Sequence, residues 1–310
     1  MIYHPLSIVV PVRNRPDLII RCLDSVYNQT YRPIRLFVVD NASTDSTPER
    51  VREWMESHHS DDFQTTLLFE VRPGAAAARN RGLREVDTEV MLFFDSDDTM
   101  RPELAITVME AFDREKKLDM VVWRVGCVNE KEEVIPAHFA HRDILGNHLY
   151  HAVLSTQAYA VRTSFFKLAG GWNPELRVWD DWELGLRLLA KSPRIKSVFR
   201  VLSHVYPQVD SITGTEFHSR KGQWEGVIDL MERETELYPE AEGRRIKDIL
   251  TYRRVILAAH YAREGFSQSG LELLEKALAD SNLPKWRKQL LRMLYRYTAK
   301  GGRGAYLLWK

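Results

Sequence analysis

The sequence predicts an α/β fold, a Rossmann-like, mostly parallel mixed sheet covered by helices, with an α-helical C-terminal appendage. Three observations predict it. Short apolar runs alternate with amphipathic helical stretches as far as residue 128. One run, VMLFFDSDD at residues 90–98, is bulky, too short for a comfortable helix, and breaks directly into carboxylates, as a strand buried on both faces of a sheet would. From about Thr215 onward the periodicity is helical alone.

Leu6–Val12 reads as the first buried strand, with Pro11, Arg13 and Asn14 at the turn that follows. Leu18, Ile19, Cys22, Leu23, Val26 and Tyr27 recur at helical spacing behind Pro16. Residues 34–39 form a second strand ending in Asp40 and Asn41, and residues 43–47 offer N-caps for a helix carrying Val51, Trp54 and Met55. A third strand is expected at 67–71. The stretch RPGAAAARNRG at 72–82 follows, where Gly74 lets the backbone approach a ligand and the helix N-terminus faces an anion. After the central strand come a helix over 102–116 and a strand over 120–128. The rhythm then loosens, with a strand at 157–162, a Gly170-Gly171 turn and a helix starting near Trp179. Helices are expected at 217–237, 241–263, 267–279 and 284–299. Residues 256–278 have the small-residue turn of one helical hairpin, without the further copies a solenoid needs.

A chain of 310 residues can build one large domain or two, and the pattern divides it at 1–214 and 215–310. Lysine plus arginine number 44 against 43 aspartates plus glutamates, so net charge gives no reason to expect nucleic acid. Two cysteines, Cys22 and Cys127, make no disulfide framework and suit a reducing, cytoplasmic setting. No run reaches the roughly twenty apolar residues of a membrane span, so a soluble or peripheral protein is expected. After Asp280 no acidic residue occurs, while Lys285, Arg287, Lys288, Arg292, Arg296, Lys300 and Arg303 accompany Trp286, Leu290, Leu294 and Tyr297. A basic amphipathic helix of this kind can lie on the anionic inner face of a membrane, suiting a lipid-linked acceptor. Packing on the rest of the chain with a solvated basic face explains the same pattern and is the reading favoured from sequence.

Asp95, Asp97 and Asp98 would repel one another at a strand end unless hydrogen bonds or a cation neutralised them. Mg²⁺ or Mn²⁺, which takes one or two carboxylates with water and phosphate oxygens, is one solution; an acidic turn capping the next helix is the other. Asp180 and Asp181 likewise read either as favourable charge in the first turn of a helix or as a catalytic carboxylate presented at its N-terminus.

Taken together, SIVVPVRNR from Ser7, VVDNASTDST from Val38, GAAAARNRG from Gly74, FFDSDD from Phe93, and GGW followed by WDDWELGLR resemble the inverting glycosyltransferases of family 2 with the GT-A fold. The five stretches lie in that family's order and spacing over roughly the first two thirds of the chain. The resemblance implies that Pro11, Asn14 and Asp40 line a nucleobase pocket, with Asp45 and Arg79 near the nucleotide and Asp95 toward the ribose. Asp97 and Asp98, as a DXD-type motif, would hold a divalent metal, Mn²⁺ or Mg²⁺, that bridges the diphosphate. Asp181 would be the general base, with Asp180 tuning it or positioning the acceptor. Glu183 ranks as structural or as an acceptor contact. The family often places a histidine in the metal shell shortly before a serine-containing loop; here Gln208 stands nearer that position, and His204 or His218 is the substitute. Residues 210–215 would form a loop closing over the nucleotide.

The implied activity is transfer of one sugar from a nucleotide sugar, a UDP-sugar first, to a hydroxyl of a glycan or lipid-linked saccharide in polysaccharide biosynthesis. Two other readings share some of the residues. A nucleotidyltransferase also places carboxylates and Mg²⁺ at strand ends but leaves GGW and DDWEL unexplained. A catalytically inactive glycan- or nucleotide-binding protein could keep the fold without turnover, although retention of all the acids argues against it.

Overall fold

The computed structural model describes residues 4–137, 139, 142–208 and 216–309. By chain contacts it divides into two units, residues 1–144 with 153–209, and residues 145–152 with 210–310. Residues 145–152, expected within the first domain, thus belong with the helical unit.

The first unit alternates as the apolar runs imply: β1 (Leu6–Val12), α1 (Leu18–Tyr27), β2 (Ile34–Asp40), α2 (Thr47–Ser57), β3 (Phe63–Phe69), α3 (Ala75–Glu85) and β4 (Val90–Phe93). It continues with β5 (Thr99–Met100), α4 (Leu104–Arg114), β6 (Met120–Val128) and β7 (Val134–Pro136). After α5 (Ile144–His151), most of which lies in the second unit, come β8 (Tyr159–Arg162), α6 (Thr163–Leu168), α7 (Asp180–Ala190) and β9 (Ile195–Val205). Among the described residues the strands form one sheet in the order β3-β2-β1-β4-β8-β6-β9-β5, with β7 paired to β6. The β3, β2, β1 and β4 half is parallel, whereas β8 runs antiparallel to both β4 and β6. The expected mixed α/β sheet is what the chain forms. One helical layer packs on a core that includes Ile8, Val10, Leu92, Phe94 and Trp123, and the other on Val9, Met91, Phe93, Phe166 and Trp172.

Several boundaries differ from expectation. The third strand starts at Phe63 rather than 67, because Gln64, Thr65 and Thr66 lie on the sheet's edge strand and hide its pattern. Residues 157–158 belong to a 3-10 turn ahead of β8. The single helix expected at 217–237 is a 3-10 turn, α8 (Gln223–Glu234) and a second 3-10 turn, because Gly222 at φ +89° ends the first and caps α8.

The helical unit continues with α9 (Glu240–Arg263), α10 (Ser267–Asp280), α11 (Lys285–Ala299) and α12 (Tyr306–Trp309). Its own core includes Trp224, Ile228, Leu250, Ala258, Leu274 and Leu291. Helix α10 crosses α9 at Gly270, where a Cβ would stand 2.6 Å from the Ala258 carbonyl oxygen. No described helix is long and apolar enough to cross a membrane.

Candidate active site

Parallel pairing aligns the carboxyl ends of β1, β2 and β4, since Val12 faces Asp40 and Val9 faces Phe93. Their loops therefore emerge side by side, where ligands of open α/β sheets gather. After β1 the chain turns at Asn14, φ +50°, whose N–H donates to Ser43 Oγ at 2.9 Å and whose Oδ1 accepts from Thr44 N at 2.8 Å. Pro11 lies within β1 opposite Val39. Asp40 is 2% exposed, and its Oδ2 accepts from Ser43 N at 3.1 Å. Its Oδ1 is buried with no partner among the described residues. An unpaired buried carboxylate oxygen is costly, so it calls for a hydrogen-bond donor. Asp45 instead accepts from Thr47 N at 3.0 Å, at the start of α2.

The three acids after β4 are divided among different partners. Asp95 accepts from Arg79 at 2.6 Å through Oδ1 and from Gln157 at 2.8 Å through Oδ2. Asp98 is 2% exposed and accepts from Gln157 and from Tyr206 N. Burial, then the charges of Asp95 and Asp97, push its carboxyl up to about 8. Asp97 is held by arginines: Arg15 donates to its Oδ2 at 2.9 Å, and Arg21 donates to its backbone carbonyl at 2.5 Å while lying 3.8 Å over the Tyr206 ring.

Arg79 connects these acids to a second group. It projects from α3, 5% exposed, stacks 4.4 Å from the Trp172 ring, and donates to Asp95 at 2.6 Å and Asp180 at 2.8 Å. The GGW turn puts that ring in place: Gly170 and Gly171 adopt φ +90° and +70°, and Asn80 bonds both the N–H and the carbonyl of Trp172 at 3.0 and 2.8 Å. Arg79, expected beside the nucleotide, is thus a buried brace between two carboxylates. Asp180 and Asp181 open α7. Burial first, then the charge of Asp180, raises Asp181 to about 7. Glu183 is 1% exposed and doubly bonded by Arg187, which also donates to the Ala169 carbonyl at 2.6 Å, so it serves the packing of α7.

Among the described residues no three His, Cys, Asp or Glu side chains gather as a metal-holding group. The expected set Asp97, Asp98 and His204 is not assembled in one shell. Both carboxylate oxygens of Asp98 are taken by Gln157 and Tyr206, and His204 sits in β9 opposite Thr99 and Gly126. His218 stacks 3.5 Å from Phe266 within the helical unit. A simpler shell fits: Arg15 occupies only Oδ2 of Asp97, and a hard divalent ion can take one protein carboxylate with water and phosphate oxygens. Residues 210–215, the expected closing loop, lie outside the described residues.

Arg15, Arg21, Gln157 and Tyr206 were not singled out by sequence. The two arginines follow β1 within nine residues of its end, a signal for cations facing the strand-end acids; a lone glutamine before a short strand carries no comparable signal.

The family model for Glycosyl transferase family 2 matches residues 7–168, a little over half of the chain. The protein belongs to glycosyltransferase family 2, and its fold is GT-A. It is 31% identical over 148 residues to the glycosyltransferase GlyA of Streptococcus pneumoniae, covering 48% of this chain and 20% of GlyA. The TarS 1–349 structure from S. aureus in complex with UDP-GlcNAc superposes with a TM-score of 0.69 at 21% identity, over 96% of this chain and 87% of that one. The mannosyltransferase PcManGT of Pyrobaculum calidifontis, in complex with GDP-Man and Mn²⁺, gives 0.53 at 21% identity, over 95% and 83%. The chain spans only 20%, 30% and 62% of three curated relatives it matches.

Proposed function

We propose that this protein transfers a single sugar from a nucleotide sugar, a UDP-sugar, to a hydroxyl of a glycan or lipid-linked saccharide, with inversion at the anomeric carbon. The observation that carries the reading is the Arg79 bridge, which fixes Asp95 at the strand end and Asp180 beside Asp181 in one network. Family membership, the solved complexes of TarS with UDP-GlcNAc and of PcManGT with GDP-Man, and the unpartnered oxygen of Asp40 support the donor side.

In this reading Asp40 Oδ1 accepts the base-edge N–H, and Asn14 and Pro11 line the same pocket. Asp95 faces the ribose, with its carboxylate held by Arg79 and Gln157. Asp97 would hold a divalent cation, Mn²⁺ or Mg²⁺, which would supply positive charge for the departing diphosphate. Arg15, already at Asp97, adds a positive charge beside the same phosphates. The acceptor oxygen attacks the anomeric carbon as the carbon–phosphate-oxygen bond breaks, and the electron pair leaves with the nucleoside diphosphate. The acceptor proton passes to an Asp181 carboxylate oxygen.

Calorimetric titration with UDP and GDP, with Mn²⁺ and after chelation, tests the donor side. Metal-dependent UDP binding that Asp97→Ala weakens at least tenfold is the expected result. Binding of GDP alone would change the donor class, and tight binding of neither nucleotide would overturn the proposal.

A further inference from the structure

Helix α11 carries two apolar stripes, and its packing uses one. Leu291, Leu294, Tyr295 and Thr298 are buried on the side that meets α9. Trp286, Met293 and Tyr297, seven and four residues apart, fall within about 40° of one another on a different side. They are 64%, 65% and 48% exposed. The following turn folds onto that stripe, since the Gly302 N–H donates to the Tyr297 carbonyl at 3.0 Å and the Tyr297 hydroxyl to the Arg303 carbonyl at 2.9 Å. Helix α12 then turns Trp309 inward, stacked on Tyr252 and 4.4 Å from Arg287, while Leu307 and Leu308 remain 68% and 65% exposed.

The unpaired charges that α11 and the following turn carry are of one sign. Arg287 and Arg292 are neutralised by Asp248 and Glu275. Lys285, Arg296, Lys300 and Arg303 are exposed and form no ion pair among the described residues. Residues 281–310 contain no acid that could pair with them.

We propose that this face of α11, with the turn and α12 that follow, docks on an anionic lipid surface. Trp286, Met293, Leu307 and Leu308 would enter the headgroup–acyl boundary, and the unpaired cations would meet lipid phosphates. Charge complementarity selects this occupant. A second copy of the chain would set cation against cation, and a nucleic acid would not reward the apolar stripe. The inference does not depend on sugar transfer.

Co-sedimentation of the full chain with vesicles of phosphatidylcholine alone, or of phosphatidylcholine and phosphatidylglycerol in equal parts, tests it. The expected result is binding to the anionic vesicles only, weakened by salt. Arg296→Gln with Lys300→Gln should lower that partition about twenty-five-fold, since each cation near such a surface contributes about fivefold. Trp286→Ser with Met293→Ser should lower it at least tenfold. All four positions are on the surface, so the thermal midpoint and UDP affinity should match the parent and report an intact fold. Binding unchanged in both double variants, absence of vesicle binding by the parent, or lipid-free self-association lost with Trp286 and Met293 would each overturn the proposal.

Discussion

In the proposed role of general base Asp181 meets two opposing demands, because burial and the neighbouring Asp180 charge favour its neutral form while a base must be ionised. With its carboxyl raised to about 7, turnover is expected to rise as pH increases through 7 and then level off. Stability has the opposite sign. A carboxyl raised on folding contributes stability fully below its unfolded value, and that contribution is lost as pH rises through about 7. Asp181→Asn should therefore lower kcat by about 10²–10⁴-fold while UDP affinity and stability at pH 8 are not reduced. A kcat profile against pH, with calorimetry of the variant, checks this; an Asn variant that still turns over at the parent rate would remove Asp181 from the role. At this scale the acids were legible because Asp95, Asp97, Asp98, Asp180 and Asp181 stand at element ends, where charge clusters require a reason. Gln157 was not, although it bonds both Asp95 and Asp98, because its role exists only once β8 is laid beside β4.

Helix α3 supplies Arg79, the segment after β4 supplies Asp95 and α7 supplies Asp180, so the bridge is as rigid as the seats of these elements on the sheet. Gly82 lets α3 approach β1, where a Cβ would strike Val9. Removing the guanidinium leaves Asp95 and Asp180 facing each other's charge without compensation. Arg79→Met is expected to cost about 3 kcal/mol in urea unfolding and to reduce turnover, with part of the loss recovered by the added substitution Asp180→Asn. No destabilisation would show that the bridge holds nothing in place. The elements around this bridge were readable because β1, β2 and β4 are predominantly apolar runs and α3 is rich in alanine. Strand β9 was not foreseen: Lys196, Arg200 and interspersed Ser and Phe give it a mixed, half-exposed pattern with neither period. Its pairing with β6, broken by two register shifts, depends on contacts distant in sequence. The GGW turn was recognised as a turn, but its purpose, seating Trp172 beneath Arg79, requires the positive-φ backbone and Asn80 together.

Each of the two units has its own core, one built around a mixed sheet and one around α9, and the chemistry discussed above belongs to the first. Division of labour follows from this composition: strand ends supply fixed carboxylates, whereas the helical unit supplies an exposed, basic and apolar surface. The central claim for the whole molecule is inverting transfer from a UDP-sugar, and the most direct measurement is time-resolved proton NMR of α-linked UDP-N-acetylglucosamine and other UDP-sugars turned over with Mn²⁺. With water as acceptor, the first sugar released is expected to carry the β configuration, and the Asp181→Asn variant should release it at least a hundredfold more slowly. Initial release of the α anomer, or turnover indifferent to Asp181, would contradict the account.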